Sequence, residues 1–359
     1  MDYQDKARGM LVGLAVGDAL GAPVEFLPSP SDVYIEALGD EIEHFHRNTR
    51  LPKGAWTDDT SMALCIADSL LERGGYDSFD VMDRFCDWCD HGYRAHPQAP
   101  IDIGMQTLNS LDNFKKNPII KKDRERTESA GNGAIMRLAP IVIANTFLDK
   151  KYPTLKDAYK NGRLVADSGD DDGEYIDKKD ILPTLKMAEL SAIETHDSVA
   201  ACAVTEMFAS ALYMALHGLE KQNIANYATR FVDGGEYGDF WFDNMDDLIN
   251  RPFKKQPMLF RDLGGYIVDT FAISLWGLLN YDNFKDGMLA VIRLGGDTDT
   301  NAACYGQLAG AYYGYSKIPK EWREGVYLAD ELVEIADKLL KMDKCPIIKT
   351  RFEDENFIK

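Results

Sequence analysis

Two short acidic clusters contain the residues whose types and spacing could do chemistry. They occupy residues 56–60 (Trp-Thr-Asp-Asp-Thr) and 295–301 (Gly-Gly-Asp-Thr-Asp-Thr-Asn), each directly before a helix-like run of small or apolar residues. The simplest interpretation of one such cluster is a helix N-cap, because Asp and Thr side chains satisfy the free N–H groups there. A cap needs one side-chain oxygen, however, and each cluster offers two carboxylates with flanking hydroxyls.

The two clusters together offer an all-oxygen ligand set. Its members are the carboxylates of Asp58, Asp59, Asp297 and Asp299 and the hydroxyls of Thr57 and Thr300. Mg²⁺ and Mn²⁺ prefer oxygen ligands, whereas zinc usually recruits His or Cys. If the two helix starts meet, four carboxylates could hold two divalent ions about 3.5–4 Å apart. Without cations such close charges would repel one another. The clusters therefore predict a site for two Mg²⁺ or Mn²⁺ ions.

Helices must position these clusters, because helix-period patterning dominates the chain and strand-like alternation is nearly absent. Helices are predicted over residues 5–21, 60–74, 78–92, 100–113, 132–147, 183–194, 198–218, 221–232, 264–280, 284–294, 300–314 and 323–342. We expect an all-α fold, with one compact domain over 1–342 and a tail over 343–359. Two charged or aromatic stretches, near 148–182 and 233–262, are interpreted as surface insertions or lids.

Four glycines stand out in the first predicted helix. Gly9, Gly13, Gly17 and Gly21 are spaced four apart and so share one helical face. Each interior glycine costs roughly 1 kcal/mol relative to alanine. The pattern predicts that another backbone, or a ligand, approaches this face closely.

Composition excludes several classes of function. The 359 residues include 40 Lys and Arg against 59 Asp and Glu, a formal net charge of −19. Such a surface repels nucleic-acid phosphates and anionic membranes, so neither is an expected partner. The six cysteines are sparse, and neither a disulfide framework nor a secretory leader is indicated. The apolar stretch 10–26 is broken by Asp18 and Glu25, and we expect a cytoplasmic protein without a membrane span.

A set of five separated motifs resembles the ADP-ribosylglycohydrolases, the group that includes the dinitrogenase reductase-activating glycohydrolases. The motifs are 9–13 with 17–21 and 25–26, then 56–60, 102–104, 131–137 with Pro140, and 294–300. Residues 195–196 (Thr-His) look like a further element of this family. The resemblance extends roughly from Lys6 to Ile318, and five motifs in the right order are far more specific than any one of them.

The resemblance implies an all-α fold with a dinuclear Mg²⁺ or Mn²⁺ site. It also implies cleavage of the N- or O-glycosidic bond that joins ADP-ribose to a protein side chain, most simply arginine, which reverses mono-ADP-ribosylation. The matching metal ligands are Thr57, Asp58, Asp59, Asp297, Asp299 and Thr300. The candidate catalytic residues are Glu25, Asp59 and Asp102. The candidate substrate-binding residues are Gly131, Asn132, Gly133, Ala134, Met136 and His196.

The chemistry suits these residue types. Cleavage at an anomeric carbon develops oxocarbenium character, so acid–base groups and a positioned water are needed. Two metals can orient the ribose and lower the pKa of a water between them. Glycines in the 131–133 loop let backbone N–H groups approach phosphate.

Several residues keep a structural alternative. Asp102 could be a cap of the following helix, and Arg137 could either add charge near phosphate or pair with an acid. His196 could lie in the pocket or between helices. Glu25 follows an apolar segment where an unpaired carboxylate is costly, which favours a role in the site.

Three other functions compete with hydrolysis of ADP-ribosylated protein. The chain could be an immunity protein that neutralises an ADP-ribosyltransferase toxin by binding it, since an acidic face suits a basic toxin. It could be an inactive family member, although four repelling carboxylates have no structural purpose. A two-metal phosphoesterase is chemically possible, but the order of the motifs favours the glycohydrolase. Arginine, serine and nucleic-acid-derived adducts would differ only at the mouth of the cleft.

Overall fold

A computed structural model describes residues 2–26, 51–96, 99–121, 127–146, 178–228 and 264–353. These residues form an all-α fold, as the sequence predicts. The helices are α1 (Tyr3–Gly21), α2 (Asp58–Arg73), α3 (Ser78–His91), α4 (Met105–Lys116), α5 (Ala139–Asn145), α6 (Lys178–Thr195), α7 (Val199–Leu216), α8 (Lys221–Ala228), α9 (Ile267–Asn280), α10 (Phe284–Ile292), α11 (Thr298–Tyr313), α12 (Lys320–Gly325) and α13 (Ala329–Leu340). Short 3₁₀ turns cover Ala22–Val24, Asn132–Ala134 and Tyr315–Lys317.

The centre of the fold is the packing of α1 against α11. A Cβ atom added to Gly9, Gly13 or Gly17 would collide with the backbone carbonyl of Gly310, Gly306 or Ala302, respectively. A Cβ at Gly21 would likewise meet the backbone of Thr298 and Asp299. The predicted close approach is thus confirmed, and the partner is the helix that follows the second acidic cluster. The contact runs along both helices and places their ends side by side.

The remaining helices enclose this pair. Helices α7, α9 and α10 pack on α11, while α13 packs on α1 and α6 packs on α7. Nearly all the buried apolar side chains of the described residues form one continuous core cluster. All six cysteines are unpaired, as expected.

The end of the described chain is packed rather than trailing. Strand β2 (Ile347–Lys349) pairs in parallel with β1 (Tyr76–Asp77), and an isolated bridge joins Ile120 to Phe352. The Arg351 guanidinium donates to the Glu194 carboxylate at 2.6 Å, and both side chains are almost fully buried. Residues 345–353 therefore connect α6 to the chain after α4.

Several predicted boundaries change. The predicted helix 132–147 is a 3₁₀ turn followed by the shorter α5, and 323–342 divides into α12 and α13 at Leu328, whose φ is +51°. Helix α4 begins at Met105 rather than at 100. Helix α6 begins at Lys178, so residues 178–182 are not part of a loop. The rest of the first predicted insertion, all of the second, and the predicted helix beyond 228 lie outside the described residues.

Two helical segments are long and apolar enough to cross a membrane by length and composition alone. They are Tyr3–Val24 and Val199–Leu216, and 89% and 83% of their apolar windows are buried inside the protein. Both are core segments of this fold, so their composition is explained by packing. The expected absence of a membrane partner stays a prediction.

Candidate active site

The two acidic clusters meet, which is the condition for a shared metal site that the sequence left open. The Thr57 hydroxyl lies 3.3 Å from Asp59 Oδ2 and 3.4 Å from Asp299 Oδ2, so the starts of α2 and α11 are in direct contact. Asp59 and Asp299 are both buried. The positive ends of two helix dipoles therefore face the same small region, which favours negative charge there.

The capping interpretation fails for both clusters. Neither Thr57, the N-cap of α2, nor Asp297, the N-cap of α11, makes a side-chain capping bond to its own helix. The carboxylate of Asp299 instead accepts from the N–H of Thr300 at 2.8 Å. Side-chain capping of α2 and α11 by their own N-cap residues therefore does not account for these carboxylates.

The cap of α2 comes from a different helix, through Asp18 of α1. Its carboxylate accepts four hydrogen bonds, from the backbone N–H and the hydroxyl of both Thr57 and Thr60, at 2.6–3.0 Å. Sequence reasoning did not assign Asp18 to the site. The signal was the single charged residue in the apolar, glycine-rich part of α1 over residues 9–21, where a buried carboxylate needs partners.

The carboxylates fall into two overlapping groups that fit divalent cations. Oxygens of Asp18, Asp59 and Asp299 lie within 4.8 Å of one another, and so do oxygens of Glu25, Asp297 and Asp299. Asp59 Oδ1 is buried and has no hydrogen-bond partner among the described residues. A buried, unpartnered carboxylate oxygen is costly unless a cation or proton satisfies it. The donor set contains only oxygen, so the residues fit a hard divalent ion.

Electrostatics point in the same direction. Burial first, then the neighbouring carboxylates, raises the pKa values of Asp58, Asp59 and Asp299 well above the ordinary value. Burial likewise raises the pKa of Asp297 and moves that of Asp18 to about 6. Without cations these carboxyls therefore keep their protons to a higher pH than free carboxyls do. Cations would let these groups ionise together, because they replace repulsion with attraction.

Glu25 and Asp102 form a carboxyl pair at the edge of this centre. Burial, the charge of Asp102 and a hydrogen bond to Asp102 raise the pKa of Glu25 to about 9. Asp102 has φ +58°, a conformation that costs about 1 kcal/mol or more for a residue with a side chain. Helix α4 begins three residues later with Gly104 as its N-cap, so the alternative that Asp102 caps this helix is wrong.

The loop that contains Gly131 is joined to the acidic centre. Asn132 Nδ2 donates to Asp297 Oδ2 at 2.8 Å and to the Thr270 hydroxyl at 3.1 Å. The Asn132 N–H donates to the carbonyl of Gly265, whose φ of +99° favours glycine. The structure thus brings the predicted substrate loop and the predicted metal ligands together.

The other predicted residues in or near this loop have side chains buried in the protein interior. The side chains of Ala134 and Met136 are buried in the core, so they support the loop from inside. His196 is also buried, beneath Gly131 and Gly133. Arg137 is fully buried, with its guanidinium 4.8 Å from the Phe85 ring centroid and hydrogen-bonded to α6. The alternative that Arg137 adds charge near phosphate is wrong, since its hydrogen bonds face the protein interior.

Fold and site define a class: an all-α protein with a buried carboxylate centre, suited to divalent cations, beside a glycine-containing loop. The sequence model of the ADP-ribosylglycohydrolase family matches residues 1–169 and 177–346. The chain therefore belongs to the ADP-ribosylglycohydrolase family and is an ADP-ribosylglycohydrolase, which confirms the resemblance.

Individual relatives agree. ADP-ribosylarginine hydrolase Tri1 of Pseudomonas putida (strain GB-1) is 30% identical over 95% of this chain and 79% of its own length. The ADP-ribosyl-[dinitrogen reductase] glycohydrolase of Rhodospirillum rubrum is 27% identical, over 89% of each chain. A solved structure titled ADP-ribosylglycohydrolase-related protein complex is 32% identical, with a TM-score of 0.68, over 96% of this chain and 99% of that one.

Proposed function

We propose that this ADP-ribosylglycohydrolase is a divalent-metal enzyme that removes ADP-ribose from arginine side chains of modified proteins. The metal dependence rests on two observations. Two sets of three acidic side chains, each close enough to hold an ion, share Asp299, and a buried oxygen of Asp59 has no hydrogen-bond partner among the described residues. The arginine linkage is supported by the name of the relatives from Pseudomonas putida and Serratia proteamaculans, at 30% and 29% identity.

In this proposal, two Mg²⁺ or Mn²⁺ ions are held by Asp58, Asp59, Asp297 and Asp299, with Thr57 and Thr300 beside them. Bound ions would supply Lewis-acid stabilisation and a template for the ribose. Asp18 holds Thr57 and Thr60 in place from the neighbouring helix through four hydrogen bonds and is a positioning residue. Its carboxylate also lies in the ligand group with Asp59 and Asp299, so it could contact an ion held there.

Proton transfer is assigned to Glu25 and Asp102. The Glu25 and Asp102 carboxyls are hydrogen-bonded to one another, so the pair can hold one shared proton. That proton can pass to the leaving nitrogen as the bond from the anomeric carbon to nitrogen breaks. A water oxygen forms the new bond to that carbon and gives up one proton to the carboxylate pair, which returns to its starting state. Asn132 donates to Asp297 and so aligns the 131–133 loop, where the ADP-ribose would lie, with the carboxylates.

The test measures ADP-ribose release from an arginine-modified peptide and a matched serine-modified peptide, with Mg²⁺, with Mn²⁺ and with EDTA. We expect release from the arginine peptide only, and loss of release with EDTA. Asp58→Asn combined with Asp297→Asn should lower kcat/KM by at least about 100-fold. Asp330→Asn, on the exposed start of α13, is the matched control and should leave kcat/KM unchanged.

Three outcomes would overturn the proposal, each in a different way. Turnover in EDTA, or full activity of the double variant, would rule out the metal mechanism. Preference for the serine peptide would rule out the linkage. If no peptide is cleaved but the double variant still binds an ADP-ribosyltransferase in a pulldown, neutralisation of a toxin by binding becomes the better hypothesis.

A further inference from the structure

A buried chain of hydrogen bonds leads from Arg137 to His196. Arg137 Nη2 donates to the Thr195 hydroxyl at 2.7 Å and to the carbonyl of Ser191 at 2.7 Å. The Thr195 oxygen lies 2.7 Å from His196 Nδ1. These side chains are almost fully buried, and Arg137 is also held by its stacking on Phe85. The chain connects α6 to the segment after the 131–133 loop.

The direction of these hydrogen bonds determines which imidazole nitrogen carries the proton. A guanidinium can only donate, so the Thr195 oxygen accepts from Arg137. The hydroxyl proton then needs an acceptor, and among the described residues His196 Nδ1 is the acceptor within hydrogen-bond distance. Nδ1 therefore accepts, and the proton of the neutral ring sits on Nε2. Burial and the charge of Arg137 lower the pKa of His196 to about 3, which is consistent with a neutral ring.

The imidazole lies where side chains of the loop would otherwise be. A Cβ at Gly133 would stand 2.7 Å from His196 Cε1 and 3.0 Å from Nε2. A Cβ at Gly131 would stand 3.1 Å from Nε2. Contacts shorter than 3.0 Å require something to shift, so a side chain at position 133 would displace the buried ring or the loop backbone. The ring thus supplies a steric reason for glycine at position 133.

We propose that Arg137 and Thr195 are positioning residues that hold His196 as the neutral Nε2–H tautomer against the backbone of the 131–133 loop. The ring then supports the loop from below, and its N–H faces the gap between the two glycines. The effect on turnover rests on the proposed function, whereas the tautomer and the steric fit do not. Thr195 is the residue to vary, because among the described residues its hydroxyl links the Arg137 guanidinium to the His196 ring.

The first test reads the tautomer by ¹⁵N NMR of the histidine side chains in the full chain, with His196→Gln to assign the signal. We expect the wild type to show unprotonated Nδ1 and protonated Nε2. Thr195→Ser should keep this pattern, whereas Thr195→Val, of similar volume, should lose it. A wild-type ring protonated at Nδ1, or an unchanged pattern in Thr195→Val, would overturn the proposal.

The second test is a double-mutant cycle in urea, which does not depend on turnover. Gly133→Ala should lower the unfolding midpoint in the wild type and lower it much less in a His196→Ala background, where the colliding ring is gone. Equal losses in both backgrounds would contradict the contact. Because the cycle does not use Thr195→Val, it still tests the contact if that variant does not fold.

The kinetic test uses the arginine-modified peptide. Because Thr195 acts through the loop and not on the reacting bond, we expect Thr195→Val to raise KM by about 10-fold with kcat nearly unchanged, and Thr195→Ser to restore KM. A fall in kcat with constant KM would overturn the positioning role. The wild type and all variants could fail to cleave the peptide while the NMR spectra and the double-mutant cycle give the expected results. The proposed function would then fail and the positioning inference would stand.

Discussion

The environment of the Glu25 carboxyl determines its charge. It follows the 3₁₀ turn after α1, and its half-buried carboxyl faces Asp102 and the clustered aspartates. Desolvation and the neighbouring negative charges both favour its protonated form, so its behaviour depends on whether cations are present.

This charge state predicts a pH dependence of stability. Glu25 has its pKa raised from 4.5 to about 9, so between these values the unfolded chain has lost a proton that the folded chain keeps. Raising the pH therefore favours the unfolded state, and the contribution of Glu25 to stability is lost as pH rises through this window. Urea unfolding in EDTA at pH 5.5, 7 and 8.5 should show a shallower decline for Glu25→Gln than for the wild type.

The control is Glu321→Gln, at an exposed position on α12, which should decline in parallel with the wild type. Parallel curves for wild type and Glu25→Gln would contradict the raised pKa of Glu25.

Among single residues, the sequence singled out the two Asp-Thr clusters, because several oxygen ligands exceed what a helix cap needs. It singled out Glu25 because an unpaired carboxylate is costly after an apolar segment. It did not single out Asp18, since the role of Asp18 requires Thr57 and Thr60 to lie across a helix contact that no local pattern encodes. The burial of Arg137 depends in the same way on Phe85 and Thr195, which are distant in sequence.

The contact between α1 and α11 decides where the site forms. Its glycines let the two helix backbones touch, and this register places Thr298 beside Gly21, whose carbonyl accepts from the Thr298 hydroxyl at 2.8 Å. The helices are thus fixed relative to one another at the end where the carboxylates lie.

Gly17→Ala should disrupt this contact. The added Cβ would collide with the carbonyl oxygen and carbon of Ala302 and with the backbone nitrogen of Ala303. Backbone atoms cannot rotate away as a side chain can. We expect a loss of about 3 kcal/mol or more in the free energy of unfolding, measured by urea denaturation.

Gly104→Ala is the comparison for this prediction, because a Cβ there meets only the Thr107 hydroxyl, at 3.9 Å. Its cost should stay within about 1 kcal/mol, the usual range at an N-cap. Similar losses for the two substitutions would show that α1 and α11 can move apart.

Helix periodicity predicted most elements because their buried faces are continuous. It failed where the chain turns within an apolar run. Residues 132–138 have the apolar pattern of a buried helix, yet Asn132–Ala134 form a 3₁₀ turn. Hydrogen bonds from Asn132 to the Asp297 carboxylate and to the Gly265 carbonyl hold this turn. The break at Leu328 is likewise set by tertiary packing, where the Tyr327 N–H donates to the carbonyl of Gly54.

For the whole molecule, residues 345–353 connect parts that are far apart in sequence. Arg351 pairs with Glu194 one residue before Thr195, and its Nε donates to the Pro118 carbonyl at 2.7 Å. Composition alone left this segment as a tail, because the pairing partner of a short strand or a buried Arg cannot be read locally.

Arg351→Met should be strongly destabilising, because it leaves Glu194 buried without its cation. The expected loss is about 3–5 kcal/mol in urea unfolding. Adding Glu194→Gln should recover part of it, since the buried charge is then removed. Lys349→Met is the matched control on the same segment; its ammonium lies over the Phe79 ring at an exposed position, and we expect less than about 1 kcal/mol. Equal losses for Arg351→Met and Lys349→Met would contradict a buried ion pair.

The contact between α1 and α11 also has a consequence for the order in which the protein is made. The carboxylates of the centre come from residues 18–25, 58–59 and 297–299, so a ribosome-bound chain has most of its helices before it has a complete centre. Until α11 emerges, the glycine face of α1 has no partner and Asp299 is missing from both ligand groups. The metal site should therefore be among the last parts to form, and a cation that binds it would report completion of the fold.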